Sequence, residues 1–390
     1  MGKKTILFVH QSSELYGSDK TLFYLAKSIS ETPKFNVLVV LPEKGPLKDL
    51  LEENNIEVII SPIVKVSRQM FAFKSLILLP FKIVIALIKL KKALRGTRVD
   101  IIHSNTMAVL VGAFYSKLFG IKHVWHIHEI IEKPKLVKKY FPVLVNFFSY
   151  RVVYNSETTN TFFTKGHKKL IEKSTTILNG LDRNREITPS QSIKNIKKQL
   201  FGAHENDVII GLVGRINKWK GHNLLLDSFE NLTHRYDNIK LVFVGSSPPG
   251  QNMFVENLTK RIVEKNLLNT CIIVPFQTEI WKIYDSLDIA IVPSTEPEPF
   301  GLVALEAMLS RKAVIASNHG GVKEIVIHDK TGFLFEPNNM NELTAFLEEL
   351  ITDKTKRVEF GQEGEKRAKQ KFSLDAYVKE FIKLYSSILK

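Results

Sequence analysis

The sequence contains a single cysteine, Cys271, in 390 residues. No intrachain disulfide can therefore form, which is typical of proteins in a reducing compartment. Cys271 begins an apolar run, where a small buried side chain is expected and a reactive thiol is not. A secretory signal is also lacking, because the apolar stretch at residues 5–9 has only the length of one strand. These absences predict a cytoplasmic protein.

Acidic side chains are in the minority, with 40 Asp and Glu against 55 Lys and Arg, for a formal net charge of +15. Such an excess suits nucleic acid, an anionic membrane or phosphorylated substrates. Residues 61–98 contain nine Lys and Arg and no acidic residue. This stretch is also apolar and lacks an RNA-binding signature, which argues against nucleic acid.

The apolar stretch at residues 73–90 is interrupted by three lysines and by Pro80, which is expected to prevent a single helix. A membrane span needs about 20 uninterrupted apolar residues, so spanning is not predicted. Two interpretations stay open: a buried core helix, or a segment that lies in an anionic membrane surface. Further lysines would extend that surface: Lys135, Lys138 and Lys139. The second interpretation makes the protein peripheral on the inner face of the cytoplasmic membrane.

Short β-branched segments alternate with helical patterns along the chain, which predicts open parallel sheets with helices on both faces. Seven predicted strands precede residue 180. A polar stretch at 182–195 is interpreted as a linker, and five more strands follow it. The predicted domains are residues 1–184 and 185–372, followed by a C-terminal helix at 373–390 whose pattern would suit packing on either domain, including back on the first.

The most specific segment is a proline-rich loop that follows a strand and leads into a helix near Gly301. In open α/β sheets, ligands bind beyond the carboxyl ends of strands. The first-turn amides there would favour an anion, and they belong to Phe300, Gly301 and Leu302. Glu298 and Glu306 lie eight positions apart (306 − 298) and can accept hydrogen bonds from hydroxyls of an elongated ligand.

A basic loop follows the first strand of the second half, with the sequence Gly214-Arg215-Ile216-Asn217-Lys218-Trp219-Lys220-Gly221. Arginine binds phosphate bidentately and lysine acts as a point charge, so these cations can clamp a diphosphate. A solvated basic loop is the alternative interpretation of the segment taken alone.

Together the two segments resemble glycosyltransferase family 4, which has the GT-B fold of two Rossmann-like domains facing across a cleft and a retaining mechanism. Glu298 and Glu306 match the family's Glu-x7-Glu signature. The resemblance implies that Glu298 contacts the donor sugar and Glu306 the ribose. It assigns the diphosphate clamp to Arg215 and Lys220, with Lys218 the less suitable lysine. The backbone near Phe276 and Gln277 would hold the base.

The resemblance in the first domain is weaker. His128 matches the family's strand-end histidine and would face the donor sugar, with His126 as the alternative. The first strand-to-helix turn contains Gly17, Ser18 and Asp19 where the family has two glycines before an acid, so these residues are candidates for an acceptor or phosphate loop. Asn179-Gly180-Leu181-Asp182 resembles the family's inter-domain turn and is interpreted as a hinge.

The predicted function is transfer of a sugar from a nucleoside-diphosphate donor to a glycan or lipid-linked acceptor, in bacterial surface polysaccharide synthesis. The expected donor is a UDP-sugar, with a GDP-sugar as the alternative. No Asp-x-Asp motif or His/Cys cluster is present, so no metal is expected. A sugar-nucleotide epimerase of the same architecture and a non-catalytic glycan- or membrane-binding protein are the competing interpretations.

Overall fold

The computed structural model describes residues 2–65, 73–132, 134–183 and 186–390. The chain divides into two compact units, one of Met1–Gly180 with Leu374–Lys390 and the other of Leu181–Ser373. The division lies close to the predicted boundary, which falls just inside the second unit.

The first unit is built on a seven-stranded parallel sheet in the order β3-β2-β1-β4-β5-β6-β7. Its strands are β1 Lys4–His10, β2 Phe35–Leu41, β3 Glu57–Ile60, β4 Ile101–Asn105, β5 Lys122–Ile127, β6 Arg151–Tyr154 and β7 Ser174–Thr176. Its helices up to the division are α1 Gly17–Ser30, α2 Pro46–Glu53, α3 Phe73–Ala93, α4 Val111–Phe119, α5 Lys135–Phe148, α6 Glu157–Thr164 and α7 Lys168–Ile171. The strand order reverses between β1 and β4, and such a switch point opens a crevice for ligands.

The second unit has a six-stranded parallel sheet in the order β10-β9-β8-β11-β12-β13. Its helices and strands, in chain order, are α8 Ser190–Gln199, β8 Val208–Val213, α9 His222–Thr233, β9 Ile239–Val244, α10 Met253–Glu264, β10 Cys271–Val274, α11 Ile280–Asp285, β11 Ile289–Val292, α12 Leu302–Leu309, β12 Ala313–Ser317, α13 Val322–Ile325, β13 Gly332–Phe335, α14 Met340–Thr352 and α15 Lys354–Lys371. Here the switch point lies between β8 and β11.

The last helix, α16 Leu374–Leu389, belongs to the first unit. Its apolar face packs into the core formed by α1 and β1, with Tyr377, Phe381 and Tyr385 buried there. The Tyr385 hydroxyl lies 2.7 Å from Nδ1 of His103 on β4. The helix therefore completes the first core, a choice that its sequence pattern left open.

The predicted fold class of two parallel α/β sheets is confirmed, while two local predictions are wrong and one strand is missed. Pro80 does not interrupt α3, which is one helix; Pro80 is exposed, so water can hydrate the carbonyl that loses its partner. The predicted linker contains the start of α8, a helix without buried residues whose pattern is too polar to detect. The strand β13 was not predicted. Among the described helices, none is long and apolar enough to cross a membrane.

Candidate active site

The loops after β8 and β11 are bound to each other at the switch point of the second unit. The Thr295 amide donates to the Trp219 carbonyl over 2.7 Å. Gly221 caps α9 at a φ of 79°, and a Cβ there would lie 1.9 Å from the Pro293 carbonyl oxygen. Only glycine permits this approach, so Gly221 fixes the basic loop against the proline-rich loop.

This packing brings Lys220 and Glu298 together. Lys220 Nζ lies 2.6 Å from Glu298 Oε1, and the Ser294 hydroxyl donates to the same oxygen over 2.6 Å. Glu298 is only 5% exposed. A buried carboxylate and ammonium are stable only when paired and hydrogen-bonded, so each holds the other in place. The two residues that the sequence assigned to separate roles thus form one charged pair.

A glycine turn after β12 fixes the backbone of Glu298. The Gly321 amide donates to the Glu298 carbonyl over 2.6 Å. Gly320 has a φ of 67°, and a Cβ there would lie 2.2 Å from that carbonyl oxygen. These two glycines were not among the predicted site residues. Their signal in the sequence is the Gly-Gly dipeptide after a predicted strand.

Glu306 is buried on α12 and has a different partner. It accepts a hydrogen bond from the Tyr284 hydroxyl over 2.9 Å. Burial, followed by the charge of Glu306, raises the pKa of Tyr284 well above its usual value, so this hydroxyl stays a donor. Glu306 therefore has a fixed orientation one turn inside α12.

The N-terminus of α12 lies between these two glutamates in the sequence. Gly301 is its N-cap residue at a φ of 104°, and Phe300 before it is buried. The helix begins at Leu302. Its first-turn amides carry the positive end of the helix dipole, which favours an anion at this edge of the sheet.

Arg215 follows Gly214 at the end of β8 and is half-buried, whereas Lys218 is exposed. The loops after β8 and β9 are joined, since the Ile216 amide donates to the Ser246 carbonyl over 3.1 Å. The Ser246 hydroxyl in turn accepts from the Phe276 amide over 3.2 Å. Loops after three neighbouring strands, β8, β9 and β10, are thereby held together beside the switch point.

Phe276 is 42% exposed. The side-chain amide of Gln277 donates to the Pro275 carbonyl over 3.1 Å. Both predicted base-site residues therefore lie at the end of β10, at the same edge of the sheet as Arg215.

In the first unit, His128 follows β5 and is nearly buried. Its Nε2 lies 3.0 Å from Oδ1 of Asn105, at the end of β4. Burial, followed by the charge of His10, lowers the pKa of His128 to about 3. His128 is therefore a neutral imidazole at physiological pH and can exchange hydrogen bonds with hydroxyls.

The alternative histidine, His126, lies inside the core. Its ring centroid is 3.9 Å from that of His128 and 5.1 Å from that of Phe381. Neither ring nitrogen has a hydrogen-bond partner among the described residues. Burial and the charges of His128 and His103 lower the pKa of His126 well below its usual value. The structure thus gives His126 a packing role beside His128.

Asp19, predicted as part of an acceptor or phosphate loop, points into the first unit. Its carboxylate accepts hydrogen bonds from His10 Nε2 at 2.6 Å, the Ser12 hydroxyl at 2.5 Å and the Tyr16 amide at 2.8 Å. Burial acts to raise the pKa of Asp19, but these hydrogen bonds and the charge of His10 outweigh it and lower the pKa. Gly17 is exposed and Ser18 half-buried at the start of α1, so these two remain at the surface.

His10 and Asn105 were missed by the sequence analysis, although both contact the predicted site residues. The signal that was available is positional. His10 ends β1 and Asn105 ends β4, the two strands that border the switch point of the first sheet.

Comparison with protein families covers both units. Residues 17–185 match the model described as Glycosyltransferase Family 4, and residues 193–367 match the model described as Glycosyl transferases group 1. The chain belongs to glycosyltransferase family 4. The family, the GT-B fold class and the classification as a glycosyltransferase, all predicted from the sequence, are confirmed. This classification favours a transferase over the epimerase and the non-catalytic binding protein.

Among solved structures, the family 4 chain is similar to Anabaena HepE in complex with UDP-glucose, with a TM-score of 0.85 and 27% identity over 98% of this chain and 99% of that one. It is 28% identical over 185 residues to the capsular polysaccharide biosynthesis glycosyltransferase CapM of Staphylococcus aureus. It is 34% identical over 165 residues to the lipopolysaccharide 1,2-N-acetylglucosaminetransferase of Salmonella typhimurium. These two matches cover 47% of the chain and 47% of CapM, and 41% of the chain and 43% of the Salmonella protein, so the chain spans about half the length of each.

Proposed function

We propose that this family 4 protein transfers a sugar from a UDP-sugar, with retention of configuration, to a glycan or lipid-linked acceptor in the synthesis of a bacterial surface polysaccharide. The observation that carries this proposal is the ion pair between partly buried Lys220 and buried Glu298 beside the N-terminus of α12, at the switch point of the second sheet. UDP-glucose in Anabaena HepE supports the choice of donor. The named activities of CapM and the Salmonella protein support the class of acceptor.

Within this proposal, Arg215, Lys220 and the amide end of α12 stabilise the negative charge that grows on the leaving diphosphate. A helix terminus contributes roughly 0.3–2 kcal/mol, and a preorganised donor in a dry site about 3–4 kcal/mol. Lys220 is already oriented by Glu298, so little reorganisation accompanies the reaction. Glu298 then accepts hydrogen bonds from sugar hydroxyls, and Glu306 accepts those of the ribose.

The choice of nucleotide is tested by thermal unfolding with UDP, GDP and ADP. A diphosphate present at 100 times its dissociation constant raises the free energy of unfolding by about 2.7 kcal/mol. We expect this for UDP. Equal shifts for all three would show recognition of the diphosphate alone, and a shift confined to GDP would replace the UDP-sugar in the proposal. NMR of the anomeric proton in the product tests retention.

We also propose that Arg215 and Lys220 stabilise the negative charge of the leaving diphosphate, as a metal ion does in other transferases. The expected result is that transfer continues at an unchanged rate after dialysis against EDTA. Loss of transfer that one divalent ion specifically restores would contradict this. A mild stimulation would not, because free nucleotide sugars bind divalent ions themselves.

The first unit supports a peripheral position on the cytoplasmic membrane. Its helices α3, α4 and α5 expose large apolar side chains: Ile77, Leu78, Phe81, Val84, Ile85, Ile88, Leu118, Phe119, Leu136, Tyr140, Val143 and Phe147. We call this set the basic apolar face, since exposed lysines accompany it: Lys82, Lys89, Lys91, Lys92, Lys117, Lys135, Lys138 and Lys139. The three helices contain no acidic residue.

The basic apolar face is continuous across the three helices. Lys91 of α3 lies 5.2 Å from the Phe119 ring of α4, and Lys117 of α4 lies 4.6 Å from the Phe147 ring of α5. Among the described side chains of α3, Ala86 and Leu90 are buried in the core, with Leu87 packed against it. Exposed apolar groups among lysines that form no ion pair with the described residues suit the interface of an anionic bilayer. We therefore place the first unit on the inner face of the membrane, where a lipid-linked acceptor would be present.

A further inference from the structure

A chain of buried polar groups joins the ends of three strands in the first unit. Asp19 Oδ1 lies 2.6 Å from His10 Nε2, and His10 Nδ1 lies 3.0 Å from Asn105 Nδ2. Asn105 Oδ1 lies 3.0 Å from His128 Nε2. All four side chains belong to residues at most 8% exposed. Groups this buried must pair their donors and acceptors, so the chain has a defined hydrogen-bond direction.

The direction is set at Asp19 and at Asn105. Asp19 is an ionised carboxylate that can only accept, so His10 Nε2 donates to it. With His10 as the neutral tautomer, its Nδ1 accepts from Asn105 Nδ2 at 3.0 Å and does not donate to the Asn105 carbonyl at 3.1 Å. Nδ2 of Asn105 faces the Ser18 carbonyl at 3.4 Å as well as His10 Nδ1. The amide therefore turns its NH2 group toward these acceptors and its oxygen toward His128.

We propose that Asp19, His10 and Asn105 are positioning residues that place the single ring proton of His128 on Nε2, which leaves Nδ1 to accept a hydrogen bond from a substrate hydroxyl. Only the last clause, on the substrate, rests on the proposed function. Without a partner, a neutral imidazole populates both tautomers, and one of them lacks the free acceptor on Nδ1. His10 and Asp19 would thus contribute to transfer without touching the substrate.

The environment of His128 offers few rival partners for this proton. The titratable groups around it are His10, His103, His126, Glu129 and Asp19. His126 is in ring contact only, and Glu129 accepts from the His128 main-chain amide over 3.0 Å. Among the described residues, Asn105 is thus the acceptor recorded for the ring itself.

The test is nitrogen NMR on the full-length protein with 15N-labelled histidine, without substrate, at pH 7. The His128 signals are assigned by their absence from H128Q. We expect a protonated Nε2 and an unprotonated Nδ1. In N105L the acceptor is removed, and the signals should move toward a mixture of tautomers. A wild-type His128 protonated on Nδ1 would overturn the proposal. So would a doubly protonated His10 that donates from Nδ1 to the Asn105 carbonyl, 3.1 Å away.

N105D provides a second variant if N105L does not fold. Its carboxylate can accept from both rings, so His128 should keep its proton on Nε2 while His10 gains a second proton. D19N keeps an acceptor oxygen for His10 and should preserve the wild-type His128 signals, whereas D19A should not. An unchanged His128 tautomer in both D19A and N105L would overturn the proposal that Asp19, His10 and Asn105 position the ring proton.

Turnover separates this inference from the proposed function. N105L should lower kcat roughly 10–100-fold, as loss of an orienting partner usually does, without changing UDP affinity. The matched control is H123N. His123 is also buried on β5, but it hydrogen-bonds to Ser104 at 2.9 Å and to the Phe148 carbonyl at 3.2 Å. It is therefore not part of the hydrogen-bonded series Asp19–His10–Asn105–His128. H123N should leave the His128 signals and kcat unchanged. If wild-type His128 has its proton on Nε2 and H128A turns over at the wild-type rate, the positioning of the proton is confirmed and the substrate role of His128 is refuted.

Discussion

The two units share one architecture, but different kinds of side chain lie at their switch points. In the second unit, the strand ends present charge: an ion pair between Lys220 and Glu298, the guanidinium of Arg215 and a helix N-terminus. In the first unit, the corresponding edge presents His128, held neutral by burial and bonded to an amide. Charge suits the recognition of a diphosphate, whereas neutral donors and acceptors suit the orientation of hydroxyls.

The two units also differ in how their exposed apolar residues are distributed. Exposed large apolar residues of the second unit are scattered over separate helices and loops, as in Met253, Val263, Leu268, Phe276, Ile327 and Val358. Scattered residues of this kind are normal on a soluble protein. Those of the first unit are concentrated on three neighbouring helices, which is the pattern of an interaction surface. Under the proposed function, this protein would bind its donor with one unit and the membrane with the other.

The largest effect is expected from the charges of the second unit. R215A should lower the transfer rate roughly 10²–10³-fold, since it removes a preorganised cation from the leaving group. E306A should weaken UDP binding, because the ribose loses an acceptor and Tyr284 loses its partner. Calorimetry on folded variants measures the affinities.

K218A is the matched control for these variants. Lys218 lies in the same loop as Arg215 but is exposed, so its removal should leave UDP affinity nearly unchanged. If R215A and E306A both bind UDP as tightly as the wild type, the donor site does not lie at the β8/β11 switch point.

A smaller, more selective effect is expected in the first unit. H128A should reduce turnover about 100-fold, in the range of a lost general acid–base or orienting group. Its affinity for free UDP should not change, because the proposed diphosphate clamp lies in the second unit. Steady-state kinetics and calorimetry on one preparation separate the two quantities. Turnover at the wild-type level would mean that His128 is a structural residue, like His126 beside it.

The sequence predicted the second site more fully than the first. The acidic and basic residues there follow strands directly and occur in a motif with fixed spacing, as Glu298 and Glu306 do. Their contacts were not visible, however. The ion pair joins residues 78 positions apart, and it depends on glycines at 221 and 320 whose role only appears when two loops meet.

In the first unit the sequence identified His128 and Asp19 but not the link between them. Asp19 reaches His128 through His10 and Asn105, on strands that are adjacent in the sheet and distant in the chain. Strand order is not readable from a list of strands. The helix α3 shows a similar limit: its composition suits a core helix or a surface helix, and only the exposed fractions of its side chains separate the two.

The basic apolar face predicts a further difference between the units. Wild-type protein should bind anionic liposomes, and added salt should weaken this binding. Replacing Lys89, Lys91 and Lys92 by glutamine should weaken it at least tenfold, since each lysine near the surface contributes about 1 kcal/mol. Cosedimentation at two salt concentrations measures this.

The control for this prediction removes the same charge from the second unit. Lys260, Lys330 and Lys354 are exposed there, and their replacement by glutamine should leave liposome binding unchanged. Wild-type protein that stays in the supernatant at low salt would remove the membrane from the proposal and favour a soluble acceptor.

The last difference expected between the units is one of acid sensitivity. The first unit buries four histidines with lowered pKa values, His103, His123, His126 and His128, whereas the second unit buries His222. Below about pH 6.5 these histidines bind protons in the unfolded chain but stay unprotonated in the folded protein. The free energy of unfolding therefore falls with decreasing pH, by up to about 1.4 kcal/mol per pH unit for each such histidine. The loss continues toward the folded pKa, about 4 for His123 and about 3 for His128.

Hydrogen exchange read by mass spectrometry at pH 7 and pH 5, corrected for intrinsic rates, should show protection falling more in the first unit than in the second. His126 is the residue to remove, since neither ring nitrogen has a partner among the described residues and no hydrogen bond is lost. H126F should reduce the acid-induced loss of protection in the first unit by the contribution of one histidine. It should leave protection in the second unit unchanged. Equal losses in both units would mean that buried histidines do not control the acid sensitivity of the first unit, and that its polar core is hydrated enough to accept protons.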